Sequence, residues 1–256
     1  MVLKALEVML KKRPACIIME NVAHIKQQKY SDVVETILHA LKAAGYELTH
    51  DTLNTNLVHG DVIPQNRERW YLVAIRADRL RQRGTDGWTM ANLLTSGDKD
   101  SDWESDKLTL KEMVRPLPPG AWKKFPDDQL GYDNVMAAYT KVAQEGINPF
   151  KVPIVVDSGC SLHFATFGRD MAPTLTHNRC GTAGYWCSTL GGKLSAQQLA
   201  RLQGFNLSDL GLRNWQDGID TKQLCKIPTN QLKGAIGNCM SVNVLMMILP
   251  RALFMA

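Results

Sequence analysis

The sequence has no CxxC pair, no internal repeat and no hydrophobic run long enough to cross a bilayer. Its six cysteines, Cys16, Cys160, Cys180, Cys187, Cys225 and Cys239, are scattered through 256 residues, far below the density of a disulfide-stapled scaffold. A reducing compartment, nucleus or cytoplasm, is expected. The N-terminus carries no charged-then-apolar leader with a small-residue cleavage site, so secretion is not expected. The most apolar stretch, 242–249, runs into Pro250 and Arg251 and is too short to be a membrane span. Charge is nearly balanced, 30 basic against 25 acidic residues. The resulting +5 suits a polyanionic partner but is shared by many unrelated proteins. What is present is ordinary globular composition, 45% hydrophobic and 21% charged, which argues against a disordered tail and allows one or two domains.

The pattern opens with a helix over 2–12, its apolar positions Leu3, Leu6, Val8, Met9 and Leu10 ending in lysines, and Pro14 stops it. The ACIIM run at 15–19 predicts a strand buried on both faces of a parallel sheet. Ser31 is the expected N-cap of a helix over 32–44, with Val33, Val34, Ile37, Leu38 and Leu41 on one face and Gly45 at its exit. Strands are expected over 46–53 and 69–76, giving an α/β sheet with a hairpin near its edge. From 77 to about 192 the chain is rich in Gly, Pro, Asp and Trp with little periodicity, as in an irregular second domain. Acidic 98–106 and Pro-rich 116–119 read as surface loops. A helix over 195–203, closed by Gly204, and a last helix over 241–255, kinked or broken by Pro250, complete the pattern.

Three features carry chemistry. Glu20 closes the ACIIM strand, at the carboxyl end where open α/β sheets bind ligands. A carboxyl partly withdrawn from water holds a proton more readily and can donate it to a ring nitrogen, although a strand-end Glu also simply caps the next turn. Arg67 and Arg69, in PQNRER at 64–69, alternate onto one side of an extended chain, where two guanidiniums suit a carboxylate, phosphate or carbonyl; a solvated charge cluster is the other reading. Gly237 and Asn238 precede an apolar helix whose free N–H groups attract carboxylate or phosphate.

In this order the blocks MENV (19–22), IPQNRERWYLVAIR (63–76), PTLT (173–176), SAQQLARLQGF (195–205) and AIGNCMSVNVL (235–245) resemble the later motifs of the DNA cytosine-C5 methyltransferases. The resemblance covers nearly the whole chain, and its spacing agrees. It implies a partial Rossmann-like α/β methyltransferase domain over 1–76, an irregular, mostly β target-recognition domain over 77–192, and a return segment with closing helices over 193–256.

It also implies roles. Glu20 would bind a flipped-out cytosine at N3 and its amino group, Arg69 its O2, and Arg67 would brace the glutamate and nearby backbone. Gln65 belongs to the same block as a supporting residue. Asn21 would order the loop beside the nucleophile, and Arg201 would hold the recognition domain against the sheet. Asn238 with the backbone of Cys239 and Met240 would contact S-adenosyl-L-methionine, and Thr174 a phosphate of double-stranded DNA.

The family's glycine-rich cofactor loop and proline-cysteine nucleophile lie before the glutamate strand, and no cysteine here follows a proline. The resemblance therefore points to an incomplete chain, inactive alone: a fragment, or one subunit completed by a second chain. A non-catalytic DNA-binding or regulatory subunit is the alternative of another class. A tRNA cytosine methyltransferase is the alternative within the fold, though its cysteine-phenylalanine-threonine signature is not matched at 159–162. Gln197 and Gln198 replace the family's usual arginine and glutamate. Cys160-x2-His163 and His177-x2-Cys180 have zinc-like spacing, read as coincidence and not as a metal site. Trp88, Trp103, Trp122, Trp186 and Trp215 are expected as packing anchors or stacking platforms, and GTAGY at 181–185 as a recognition loop.

Overall fold

A computed structural model describes residues 2–56, 63–80, 89–95, 109–114, 123–164, 166–205 and 228–256. The elements, in chain order, are α1 (Val2–Lys12), β1 (Cys16–Val22), α2 (Ser31–Ala43), β2 (Tyr46–Asn54), β3 (Glu68–Arg76), α3 (Met90–Thr95) and α4 (Leu110–Met113). There follow α5 (Gln129–Gln144), β4 (Ile154–Asp157), β5 (Phe167–Arg169), α6 (His177–Gly181), β6 (Tyr185–Cys187), β7 (Gly192–Lys193), α7 (Ala196–Leu202), α8 (Thr229–Asn238) and α9 (Val242–Met255). The expected loops at 98–106 and 116–119, with Trp88, Trp103, Trp122, Trp215 and Cys225, lie outside the described residues.

Two compact units divide the chain: Met1–Gly60, Glu68–Glu104 and Val244–Ala256 form the first, Asp61–Arg67 and Ser105–Asn243 the second. In the first, the sheet order is β1-β3-β2. The ACIIM strand differs from its parallel expectation, because β3 enters between β1 and β2 and pairs antiparallel with both. β3 is then the strand covered on both faces, with Trp70, Tyr71, Leu72, Val73, Ala74 and Ile75 all buried, whereas β1 buries fully only Ile17 and Met19.

Alternation sorts these side chains into two cores. Ile17, Met19, Trp70, Leu72 and Ala74 pack under α1 and α2 through Leu6, Ile37 and Leu41. Tyr71, Val73 and Leu53 pack under α3 and α9 through Leu93, Val244, Ile248 and Ala252. Helices on both faces of the sheet make the first unit an α/β fold. Gly45, at φ 82, ends α2 as expected. Ser31 is the first helical residue instead of the cap, and its hydroxyl donates to Gln28 O at 2.8 Å. α9 continues through Pro250; that residue and Met246, whose carbonyl loses its helical donor there, are both exposed.

The second unit holds the small sheet β5-β4-β6-β7, antiparallel throughout. It also holds a 16-residue helix, α5, in the stretch expected to be irregular and mostly β. Its buried stripe, Val135, Ala138, Tyr139 and Val142, has helical spacing, but glycine and polar neighbours dilute it in sequence. Trp186 is an anchor in this core, donating to Tyr139 Oη at 3.3 Å. No single helix among the described residues is long and apolar enough to cross a membrane.

Candidate active site

Register places the first pair of functional residues. Glu20 stands opposite Tyr71 and Val22 opposite Arg69, so Glu20 and Arg69 share a sheet face as a diagonal pair. Arg69 Nε lies 3.2 Å from Glu20 Oε1, with only 12% and 15% of the two side chains exposed. Its Nη1 donates to Glu68 O at 2.8 Å, which fixes the guanidinium plane. Asn21 Oδ1 accepts from Val22 N at 2.8 Å, setting the exit from β1.

In the second unit Arg67 is buried. Its Nη1 donates to Leu175 O at 2.6 Å and its Nη2 to Cys239 O at 2.8 Å. Within the second unit the acceptors of Arg67 are thus two backbone carbonyls. Arg67 ties the PTLT segment to the end of α8. Other side chains complete that anchorage. Thr174 Oγ1 donates to Asn66 O at 2.6 Å, Tyr185 Oη to Thr174 O at 2.8 Å, and Thr176 N to Tyr185 Oη at 3.2 Å. GTAGY is thus partly an internal prop, since Tyr185 and Gly184 are buried.

Gly237 and Asn238 precede the apolar helix α9, which starts at Val242, and they also close a helix that was not expected, since α8 runs to Asn238. A Cβ on Gly237 would sit 2.4 Å from Thr176 O and 2.9 Å from Cys180 Sγ, so glycine is required for this close approach. The corner that follows is held by Gln203, buried and overlooked in sequence. Its side-chain nitrogen donates to Ile236 O at 3.0 Å, and its carbonyl accepts from Val242 N at 2.9 Å. The only sequence signal for it was its place in LQGF.

Asn238 is exposed at this corner, with Cys239 and Met240 half-buried. The carboxyl end of α8 carries partial negative charge and the start of α9 partial positive charge. That pairing, beside an exposed carboxamide, fits the zwitterionic amino-acid end of S-adenosylmethionine.

α7, which carries half-buried Arg201, begins with a capping box: Gln198 N donates to Ser195 Oγ at 3.2 Å, and Ser195 N to Gln198 Oε1 at 2.7 Å. A neutral glutamine here does the capping work of a glutamate.

Among the described residues no three His, Cys, Asp or Glu side chains converge as a metal site would require. Cys160 Sγ instead accepts from Thr166 N at 3.4 Å, and His163 packs edge-on against Phe164. Three of the described thiols are poorly suited to attack. Burial raises the pKa of Cys16 and Cys187 and pushes Cys180 up to about 12. Cys239 Sγ donates to Ile236 O at 2.8 Å.

The profile of the C-5 cytosine-specific DNA methylases matches residues 1–252. The fold is similar to that of the Dnmt2 methyltransferase of S. pombe, with TM-score 0.59 and 14% identity over 99% of this chain and 72% of that one. It is also similar to a putative DNA modification methyltransferase encoded within a prophage of E. coli, with TM-score 0.56 and 14% identity over 97% of this chain and 71% of that one. No curated protein matches the chain.

Proposed function

The chain belongs to the C-5 cytosine-specific DNA methylase family, whose methyl donor is S-adenosylmethionine, and we propose that its substrate is a cytosine swung out of duplex DNA and held by Glu20 and Arg69. The observation that carries this reading is the Glu20–Arg69 pair, a carboxyl and a guanidinium 3.2 Å apart on one sheet face and largely shielded from water.

A pyrimidine entering there would part the two side chains. Glu20 then holds a proton at N3 and accepts from the amino group, while Arg69 donates to O2. As a thiolate adds to C6, electron density gathers on N3 and O2, and the two groups meet it in a partly dry setting. Asn238 and the backbone of Cys239 and Met240 would hold the amino-acid end of the cofactor, which when bound supplies an electrophilic methyl group for C5. Thr174 would orient a phosphate and Arg67 keeps its segment in place.

The thiolate comes from polypeptide other than these 256 residues, in the same protein or a second chain. The raised pKa of Cys16, Cys180 and Cys187 argues against those three as the nucleophile, and no cysteine of the sequence follows a proline. A labelled-methyl assay on the purified chain with duplex DNA is expected to give no incorporation, and incorporation by the chain alone refutes that point. Competition between duplex DNA and tRNA for binding tests the substrate, with duplex DNA expected to win.

A further inference from the structure

Gln65 is fully buried, and neither its side-chain oxygen nor its side-chain nitrogen has a hydrogen-bond partner among the described residues. Its backbone, by contrast, is tightly placed. Gln65 N donates to Ile63 O at 2.7 Å, and Gln65 makes a parallel bridge to Ala172. Asn66 N donates to Ala172 O at 2.8 Å and Ala172 N to Pro64 O at 2.6 Å. The carboxamide is therefore held where two backbone segments cross, one leading to Arg67 and the other to Thr174. A buried amide without partners weakens the free protein, and an apolar side chain of the same shape would suit the cluster of Ile63, Ala172 and Leu175 better.

We propose that Gln65 is a positioning residue whose carboxamide gains its hydrogen bonds only when an extruded nucleotide is bound. The segment carrying Thr174 is the part that yields. It is fastened largely by side chains, with Arg67 on Leu175 O, Tyr185 on Thr174 O, and the Thr174 hydroxyl on Asn66 O. For Thr174 to donate to a phosphate its hydroxyl must leave Asn66 O, and that shift uncovers the neighbouring amide. Gln65 offers one donor and one acceptor side by side, able to fix the moved backbone in its bound position. The effect on the substrate passes through Thr174, so Gln65 links nucleotide entry to the placement of the phosphate contact. The inference rests on the reading of duplex DNA as substrate.

The test compares the wild-type chain with Gln65→Met and Gln65→Leu, two apolar fillings of similar size. Thermal denaturation without DNA is one readout. The other is binding of a duplex with one mismatched cytosine, set against the fully paired duplex, since an unpaired base is extruded at little cost. The expected result is opposite in sign on the two: melting unchanged or higher, with the preference for the mismatched duplex reduced about tenfold. A lower melting temperature in both variants would show that the amide is already satisfied in the free protein and overturns the proposal. So does a preference that stays at the wild-type value. A wild-type chain with no preference for the mismatched duplex overturns the substrate reading, and this inference falls with it.

Discussion

Arg69 reaches diagonally across the β1–β3 ladder to place its Nε 3.2 Å from Glu20 Oε1, and neither side chain is more than 15% exposed. Removing either member takes an opposite charge away from a side chain that is largely shielded from water. Arg69→Met is expected to lower stability by about 3 kcal/mol, while the Glu20→Gln, Arg69→Met double variant recovers much of that. Urea denaturation of the two single variants and the double variant measures the coupling; strictly additive losses would mean the pair does not interact.

Arg67 is bound to two carbonyls that no single ammonium can serve with the same geometry. Arg67→Lys is expected to cost about 2 kcal/mol in unfolding free energy, since one of Leu175 O and Cys239 O loses its donor. Calorimetry checks the size, and a variant as stable as wild type would contradict the bracing role.

Gly237 is helical, so alanine there would ordinarily stabilise by about 1 kcal/mol. Contact at 2.4 Å with a backbone oxygen decides the other way. Gly237→Ala is expected to destabilise by about 2 kcal/mol net, read from the denaturation midpoint.

His50 Nδ1 accepts from Trp70 Nε1 at 3.3 Å, which requires the nitrogen to be unprotonated. Burial lowers the His50 pKa first, Lys26 and Lys42 lower it further, and Asp51 opposes them. The unfolded chain therefore takes up the proton at higher pH than the folded one. The stability from neutral His50 is complete above the ordinary value of 6.5 and declines as pH falls below it towards the folded pKa. Stability measured from pH 7.5 to 5 should fall, with a change in tryptophan emission, and His50→Gln should flatten the decline. A wild-type profile as flat as that of the variant would remove His50 as the cause.

Much of the first unit was legible because its signals are local. The periodicities of α2, β3 and α9 and the glycine exit at Gly45 reappear in place. Glu20 and Arg69 were legible as a pair of residue types, but their contact depended on β3 entering between β1 and β2, which no local pattern announces. α8 was missed because Gly234 and Gly237 look like helix breakers; they are present because α6 packs against them, placing His177 against Gly234 and Thr176 and Cys180 against Gly237.

The sequence alone determined where α1, α2, β2, β3, α7 and α9 form and which side chains carry charge, because periodicity and caps act over a few residues. Tertiary structure alone decided what those charges touch. Arg67 finds its acceptors 108 and 172 residues away, and Gln65 is sealed in by a segment more than a hundred positions later. The reason is physical: such partners are chosen by which backbone carbonyls the packed elements leave without donors, a property of the assembled fold.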